Sequence, residues 1–226
     1  MKIIIALSFL IAGISALPQQ EQQGLTLTQQ RLVSDAIAGA IEDLSQSIRN
    51  AGLDPLNIKR ESASYALPVP VIFNGVAYVE ELLSTGLSNI VINNINFGII
   101  SFRLTFDIEL PLISASADAI GAEATLFGTV LGGEGSGSIA IRSIRVTGQA
   151  RVNVGLISGI SVRDLRINFR LGGIDSNLNV VIQGRDISNT LNTFLGTTIP
   201  NTLDAYSSEI DELLVIVVQG IIDDAL

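Results

Sequence analysis

The stretch Ser101–Pro111, SFRLTFDIELP, alternates apolar and polar residues without a slip. Phe102, Leu104, Phe106, Ile108 and Leu110 fall on one side of an extended chain. Arg103, Thr105, Asp107 and Glu109 fall on the other. Successive strand side chains face opposite sides of a sheet, so this stretch predicts a strand with one dry and one wet face. The surrounding sequence decides what the dry face covers.

Outward from this strand, period two holds from about Val69 to Ile182. Val71, Phe73, Gly75, Ala77 and Val79 form one alternating set, and Ser84–Gly86 reads as a turn after it. Ile95, Phe97 and Ile99 form a second set, and Leu165, Ile167, Phe169 and Leu171 another. The run Gly132–Gly137, GGEGSG, joins two strand patterns and lacks the third glycine of a dinucleotide-binding loop. It reads as a hairpin tip.

Several strands change phase midway. Ile139 and Ile141 are odd whereas Ile144 and Val146 are even, which calls for a bulge near Arg142–Ser143. Ile160 and Val162 against Leu165 and Ile167 show the same shift, as do Ile90 and Ile92 against Ile95 and Phe97. Bulges bend and twist a sheet, so repeated bulges predict strong curvature.

Helical spacing flanks the sheet region. Thr26–Gln29 offers a capping box, and Val33, Ala36, Ile37, Ala40, Ile41, Leu44 and Ile48 then share one helical face. Gly52 and Pro55 end that helix. Near the other terminus, Asp186–Leu195 predicts a short helix stopping near Gly196. After Pro200, the residues Leu203, Tyr206, Ile210, Leu213, Leu214, Val217 and Ile221 mark a long one. Its Leu213–Val218 run is apolar all round, which implies contact on more than one side. The expected class is α+β: long terminal helices wrapped by a highly curved antiparallel sheet.

Residues 1–16, MKIIIALSFLIAGISA, combine an early lysine, an apolar run too short to span a bilayer, and a small-residue end. They read as a secretory signal peptide cut after Ala16, so export is expected. Leu17–Gly24 reads as a flexible polar leader, and residues 25–226 as one domain.

Composition removes whole classes of chemistry. The chain has no cysteine and no histidine, which excludes disulfides, the Ser-His-Asp triad and the commonest metal ligand. A formal charge of −9 argues against nucleic acid as a partner. Asp107 and Glu109 share a wet strand face but lack a second group at catalytic spacing, so the chain reads as a non-enzyme without cofactor or metal.

The helix break Gly52-Leu-Asp-Pro55, the strand start Gly86-Leu-Ser-Asn-Ile90, the meander and the C-terminal helix together resemble a tubular lipid-binding (TULIP) domain, one BPI-like half. Among its branches the chain is most similar to the group 7 mite allergens and their insect relatives. The takeout and juvenile-hormone-binding proteins come second, because the cysteine pair usual near their mature N-terminus is absent here. The resemblance implies an elongated apolar cavity for lipid-like ligands between a long helix and a curved sheet.

Residue reasoning supports the same expectation. Ala115, Ala117, Ala119, Ala122, Ala124, Gly148 and Ala150 place small side chains on the strands, leaving volume that helices or a ligand must fill. The candidate lining is Ile37, Ile41, Ile95, Phe97, Phe102, Leu104, Phe106, Ile108, Leu214 and Val217, with ordinary core packing as the competing role for each. Six arginines (142, 145, 151, 163, 166 and 170) lie mostly opposite the apolar positions. They suit either pairing with acids across a solvated face or peripheral contact with an anionic lipid surface. Three classes of function therefore compete: first an exported carrier of a hydrophobic small molecule or lipid, then an exported surface-interaction protein with a filled core that recognises lipid or microbial surfaces, and last an enzyme.

Overall fold

The computed structural model describes residues 27–155 and 159–225. The proposed signal peptide, the leader and the Thr26 cap lie outside the described residues. Among the described residues, the period-two segments and two flanking strands form one sheet of seven antiparallel strands. These are β1 (Leu56–Ala66), β2 (Phe73–Thr85), β3 (Val91–Gly98), β4 (Arg103–Leu126), β5 (Thr129–Gly155), β6 (Gly159–Ile182) and the short β7 (Arg185–Asp186). Their order is β1-β2-β4-β5-β6-β7. β2 and β3 lie end to end on one edge of β4: β3 pairs with Arg103–Glu109 and β2 with Ser114–Leu126. β5 is 27 residues long, a contour of roughly 90 Å. One strand thus serves two separate regions of the molecule.

The quoted stretch is the first part of β4, but the strand begins one residue later than the alternation predicts. Phe102 belongs to the turn from β3, with φ +50° and 39% of its surface exposed. Its carbonyl accepts a hydrogen bond from the Val152 N–H at 2.8 Å, which holds the turn against β5.

The glycine run is not a hairpin tip. Gly132–Gly137 lies inside β5, with β4 on one side and β6 on the other. The hairpin instead turns at Phe127–Gly128, where φ is +48° and +77° between the paired residues Leu126 and Thr129. Crowding explains the best-defined of the internal glycines. At Gly137, with φ +122°, a Cβ would lie 2.1 Å from the Asn177 carbonyl oxygen.

Each expected phase change occurs, by two different devices. Register shifts lie between Ile92 and Asn94, and between Gln149 and Arg151 opposite Asp164, whose φ is +52°. Near Ser143 (φ +51°) the register is kept, because neighbouring strands change phase at the same level. Pro111 in β4 and Gly172 in β6 stand beside Ser143, forming a bend line across three strands. Gly172 is needed there, since a Cβ would meet the Ser143 Cβ at 2.8 Å. A further shift between Ala117 and Ile120, and Glu81 at φ +47°, bend the other half. Such residues in mid-strand bend the sheet by construction.

α1 (Leu27–Asn50) ends where Gly52 takes a left-handed conformation, with bonds from Gly52 N–H to Arg49 and Leu53 N–H to Ile48. This is a Schellman closure. At the other terminus come α2 (Ser188–Thr193), a π-helical turn (Phe194–Thr198), α3 (Ile199–Ala205) and α4 (Ser207–Ala225). The expected stop at Gly196 does not occur, because the π turn carries the chain on to Pro200. The break falls at Tyr206. No helix among the described residues is long and apolar enough to cross a membrane.

The helices also protect the edge of β6. Asn192 accepts from the Leu178 N–H (3.0 Å) and donates to its carbonyl (2.9 Å), imitating a neighbouring strand. Ser188 accepts from Val180 N–H, Asp211 accepts from Phe169 N–H, and Gln219 donates to the Val162 carbonyl. Side chains thus satisfy backbone groups that an open edge would offer to another chain. β1, at the opposite edge, was not foreseen: LNIKRESASYA lacks apolar alternation because most of it is exposed on both faces.

The dry face of β4 answers to both long helices. Leu104 is buried with Ile37 and Ile41 of α1, Phe97 and Val152, while Ile108 packs against them. Phe106 packs against a second cluster containing Ala150, Val162 and Ile167 of the sheet and Val218 and Ile222 of α4.

Candidate functional site

The small residues of β4 and the glycines of β5 leave space where no helix among the described residues lines the sheet. Ala77 of β2 pairs with Ala122 of β4, and Ala122 pairs in turn with Gly133 of β5. Together with Ala115, Ala117, Gly135 and Ala63 they floor a groove of about 710 Å³. Val79, Leu82, Ile120, Ile139, Leu178, Val180 and Ile182 also line it. This size and character suit a small-molecule site. Its ionisable side chain is Glu61 of β1; Glu134 and Tyr78 alternate with Gly133 and Ala77 and so point to the opposite face, and among the described residues no Lys or Arg contributes.

None of the ten residues chosen from sequence lines this groove. Ile37, Ile41, Phe97 and Leu104 are buried under α1, with Ile95 and Ile108 packed against them. Phe106 and Leu214 pack into the α4 cluster. Phe102 and Val217 belong to neither cluster, and Val217 is 45% exposed; the neighbouring Val218 is the buried one. The expected second contact for Leu213–Val218 is therefore missing among the described residues, since Leu213, Ile216 and Val217 are exposed. The signal for the groove was present in Ala115, Ala117 and Ala122, which the sequence reading tied to unfilled volume. The matching glycines of β5 were assigned to a turn.

A buried carboxylate fixes how the strands enter this architecture. Asp54 accepts from Gly86 N–H at 2.9 Å through Oδ1 and from Ser88 N–H at 2.6 Å through Oδ2. Arg49 donates to the Ser88 hydroxyl at 3.3 Å. The two motifs that carried the family resemblance, around Asp54 and Gly86, are thus one structural joint. Burial alone would raise the Asp54 pKa, but the bonds from Ser88 and Gly86, aided by the Arg49 charge, hold it below its ordinary value. Gly86, at φ +100°, cannot carry a side chain, because a Cβ would lie 2.0 Å from the Leu112 carbonyl oxygen.

The wet face pairs charges across strands. Arg145 forks onto Asp107, with Nε to Oδ1 at 2.9 Å, and their hydrogen bonding lowers the Asp107 pKa. The Ser143 hydroxyl donates to Glu109 at 2.6 Å and lowers that carboxyl too. Arg142, Arg151 and Arg170 also have acidic partners. Asp107 and Glu109, weighed above as catalytic candidates, are thus occupied in surface pairing. Among the described residues no three metal-ligating side chains come together.

No curated relative matches the sequence. Among solved structures, the chain is similar to Epiphyas postvittana Takeout 1 at 13% identity, covering 88% of this chain and 91% of that one, with a TM-score of 0.35. It is also similar to a lipopolysaccharide binding protein at 11% identity and a TM-score of 0.23, covering 79% of this chain and 38% of that one. The model of the haemolymph juvenile hormone binding protein (JHBP) family matches residues 29–226. That match spans most of the chain, so the protein belongs to the JHBP family, the branch ranked second on sequence.

Proposed function

We propose that this chain is an exported carrier that holds a hydrophobic, lipid-like small molecule in the groove of β1, β2, β4, β5 and β6. The observation that carries the proposal is the groove itself, about 710 Å³ lined mainly by Ala, Gly, Val, Leu and Ile. The family name describes hormone binding in haemolymph, which agrees with both ligand class and export. The N-terminal MKIIIALSFLIAGISA segment supports export independently.

Binding is the whole mechanism. Apolar burial provides the affinity, and selection acts by size and apolarity rather than by matched hydrogen bonds. Charge narrows the ligand further. With Glu61 on the groove face and no cation in the lining among the described residues, a carboxylate head would meet like charge at that end. Neutral ligands such as esters, alcohols or hydrocarbons fit better than fatty-acid anions.

Native mass spectrometry of the secreted protein, purified without detergent and followed by organic extraction, tests this. A reproducible extra mass that releases a neutral apolar compound supports the carrier. A bare protein that also takes up no neutral apolar probe overturns it and favours the surface-interaction reading.

A further inference from the structure

We propose that the β1–β2 and β4–β5 turns form one apolar tip that inserts into the surface of a phospholipid bilayer. The two turns are a single unit. Phe127 N–H donates to the Ile72 carbonyl at 3.1 Å, and Gly128 N–H to Val71 at 2.9 Å. On this unit Val69, Val71, Ile72, Leu126, Phe127 and Val130 are all exposed, Phe127 by 77% and Val71 by 59%. Neither contributing segment, 62–79 or 124–133, contains a charged residue.

Phe127 is the telling residue. It occupies the first position of a two-residue hairpin turn at φ +48°, where Asn or Gly is favoured and a bulky side chain is strained. The β6–β7 turn has the same backbone, at φ +52° and +72°, and carries the polar pair Gln183–Gly184. A bulky, largely exposed side chain at this backbone conformation departs from local rules, and such a departure points to function.

Part of the backbone is satisfied within the tip, as insertion into an apolar medium favours: Ile72 N–H bonds to the Val69 carbonyl and Leu67 N–H to Phe73, while Pro68 and Pro70 have no N–H to offer. A second copy of the chain is the competing occupant, and sedimentation separates it from a membrane in the test below. The absence of basic residues selects a neutral, zwitterionic surface over an anionic one. The tip is also continuous with the groove, since Ala122 lies four residues from Leu126 along β4, roughly 13 Å. If the groove carries a ligand, as proposed above, the tip is where that ligand crosses to or from a membrane.

The test is co-flotation of the full chain with phosphatidylcholine vesicles, at low and high salt, for the wild type, Phe127→Asn and Val71→Ser. Phe127→Asn creates the favoured Asn-Gly turn, so it leaves folding intact. Val71→Ser gives a second probe on the other turn. The expected result is salt-insensitive wild-type binding, reduced about tenfold or more by Phe127→Asn, with uptake of a neutral apolar probe unchanged. Wild-type protein that stays unbound, or variants that bind as well as wild type, overturn the tip whatever the groove does. Sedimentation showing a wild-type dimer that Phe127→Asn dissolves would assign the tip to a second copy and also overturn it. Loss of probe uptake in the wild type would instead sink the carrier and leave the vesicle result standing.

Discussion

Asp54→Asn should reveal how much the buried joint between α1 and β3 stabilises the fold. The substitution keeps the side-chain shape and one acceptor oxygen, but turns an amide NH2 toward one of the two backbone donors. Hydrogen bonds to a charged acceptor are worth about 1.5–3 kcal/mol, and an unmet buried donor adds a penalty of similar size. Some relaxation toward water is available, so the expected destabilisation is about 3 kcal/mol. At roughly 2–4 °C per kcal/mol for a chain of this size, the melting temperature at neutral pH should fall by about 6–12 °C.

The pH dependence carries the sharper test. The folded pKa of Asp54 lies below its ordinary value of 3.8. Its ionised form therefore contributes stability fully above that value, and the contribution is lost as pH falls through the lowered folded pKa. The gap between wild type and variant should narrow below about pH 3.8. Asp107, Glu109 and Asp186, also lowered, are present in both proteins and cancel in the difference. Thermal unfolding followed by circular dichroism between neutral pH and about pH 2.5 measures the gap. A gap that is absent at neutral pH, or constant down to the acid limit, would show that the Asp54 carboxylate does not stabilise this joint.

Gly137→Ala should cost about 3 kcal/mol or more, since it forces a left-handed residue and a 2.1 Å approach to the Asn177 oxygen; chemical denaturation reads the loss, and a near-neutral result would show that the strand yields there. Ala122→Trp adds bulk to an exposed position in the groove, so binding of a neutral fluorescent apolar probe should weaken about tenfold while the unfolding midpoint stays within about 1 kcal/mol of wild type. Unchanged affinity would place the ligand elsewhere.

How much of this was legible in the sequence follows from which physical signals are local. Period two in Leu104–Leu110 and the three- and four-residue spacing of Ile37, Ile41, Leu44 and Ile48 are local, so strands, helices and curvature could be read directly. The bulges at Asp164 and Ile92–Asn94 were legible too, because a phase change leaves its mark in one strand. Gly132–Gly137 was misread because its cause is non-local: the glycines yield to carbonyls of β6 and to the groove, and neither is visible in the run itself. The groove was missed for a related reason. Large apolar residues such as Phe97 and Phe106 draw attention as ligand contacts, yet they are the ones the helices cover. Space remains where alanines and glycines from four strands coincide, and only the register, Ala77 to Ala122 to Gly133, brings them together. Phe127 escaped notice because exposure at a turn is a property of the fold.

An apolar ligand in the alanine- and glycine-floored groove would touch strand segments that the helices do not cover. The most direct measurement is photo-crosslinking with a diazirine-bearing neutral lipid ester, followed by peptide mapping. Labels should fall within 115–122, 133–139 and 178–182. Labels confined to Phe97, Leu104, Phe106 and the facing residues of α1 and α4 would contradict this, placing the ligand beneath the helices.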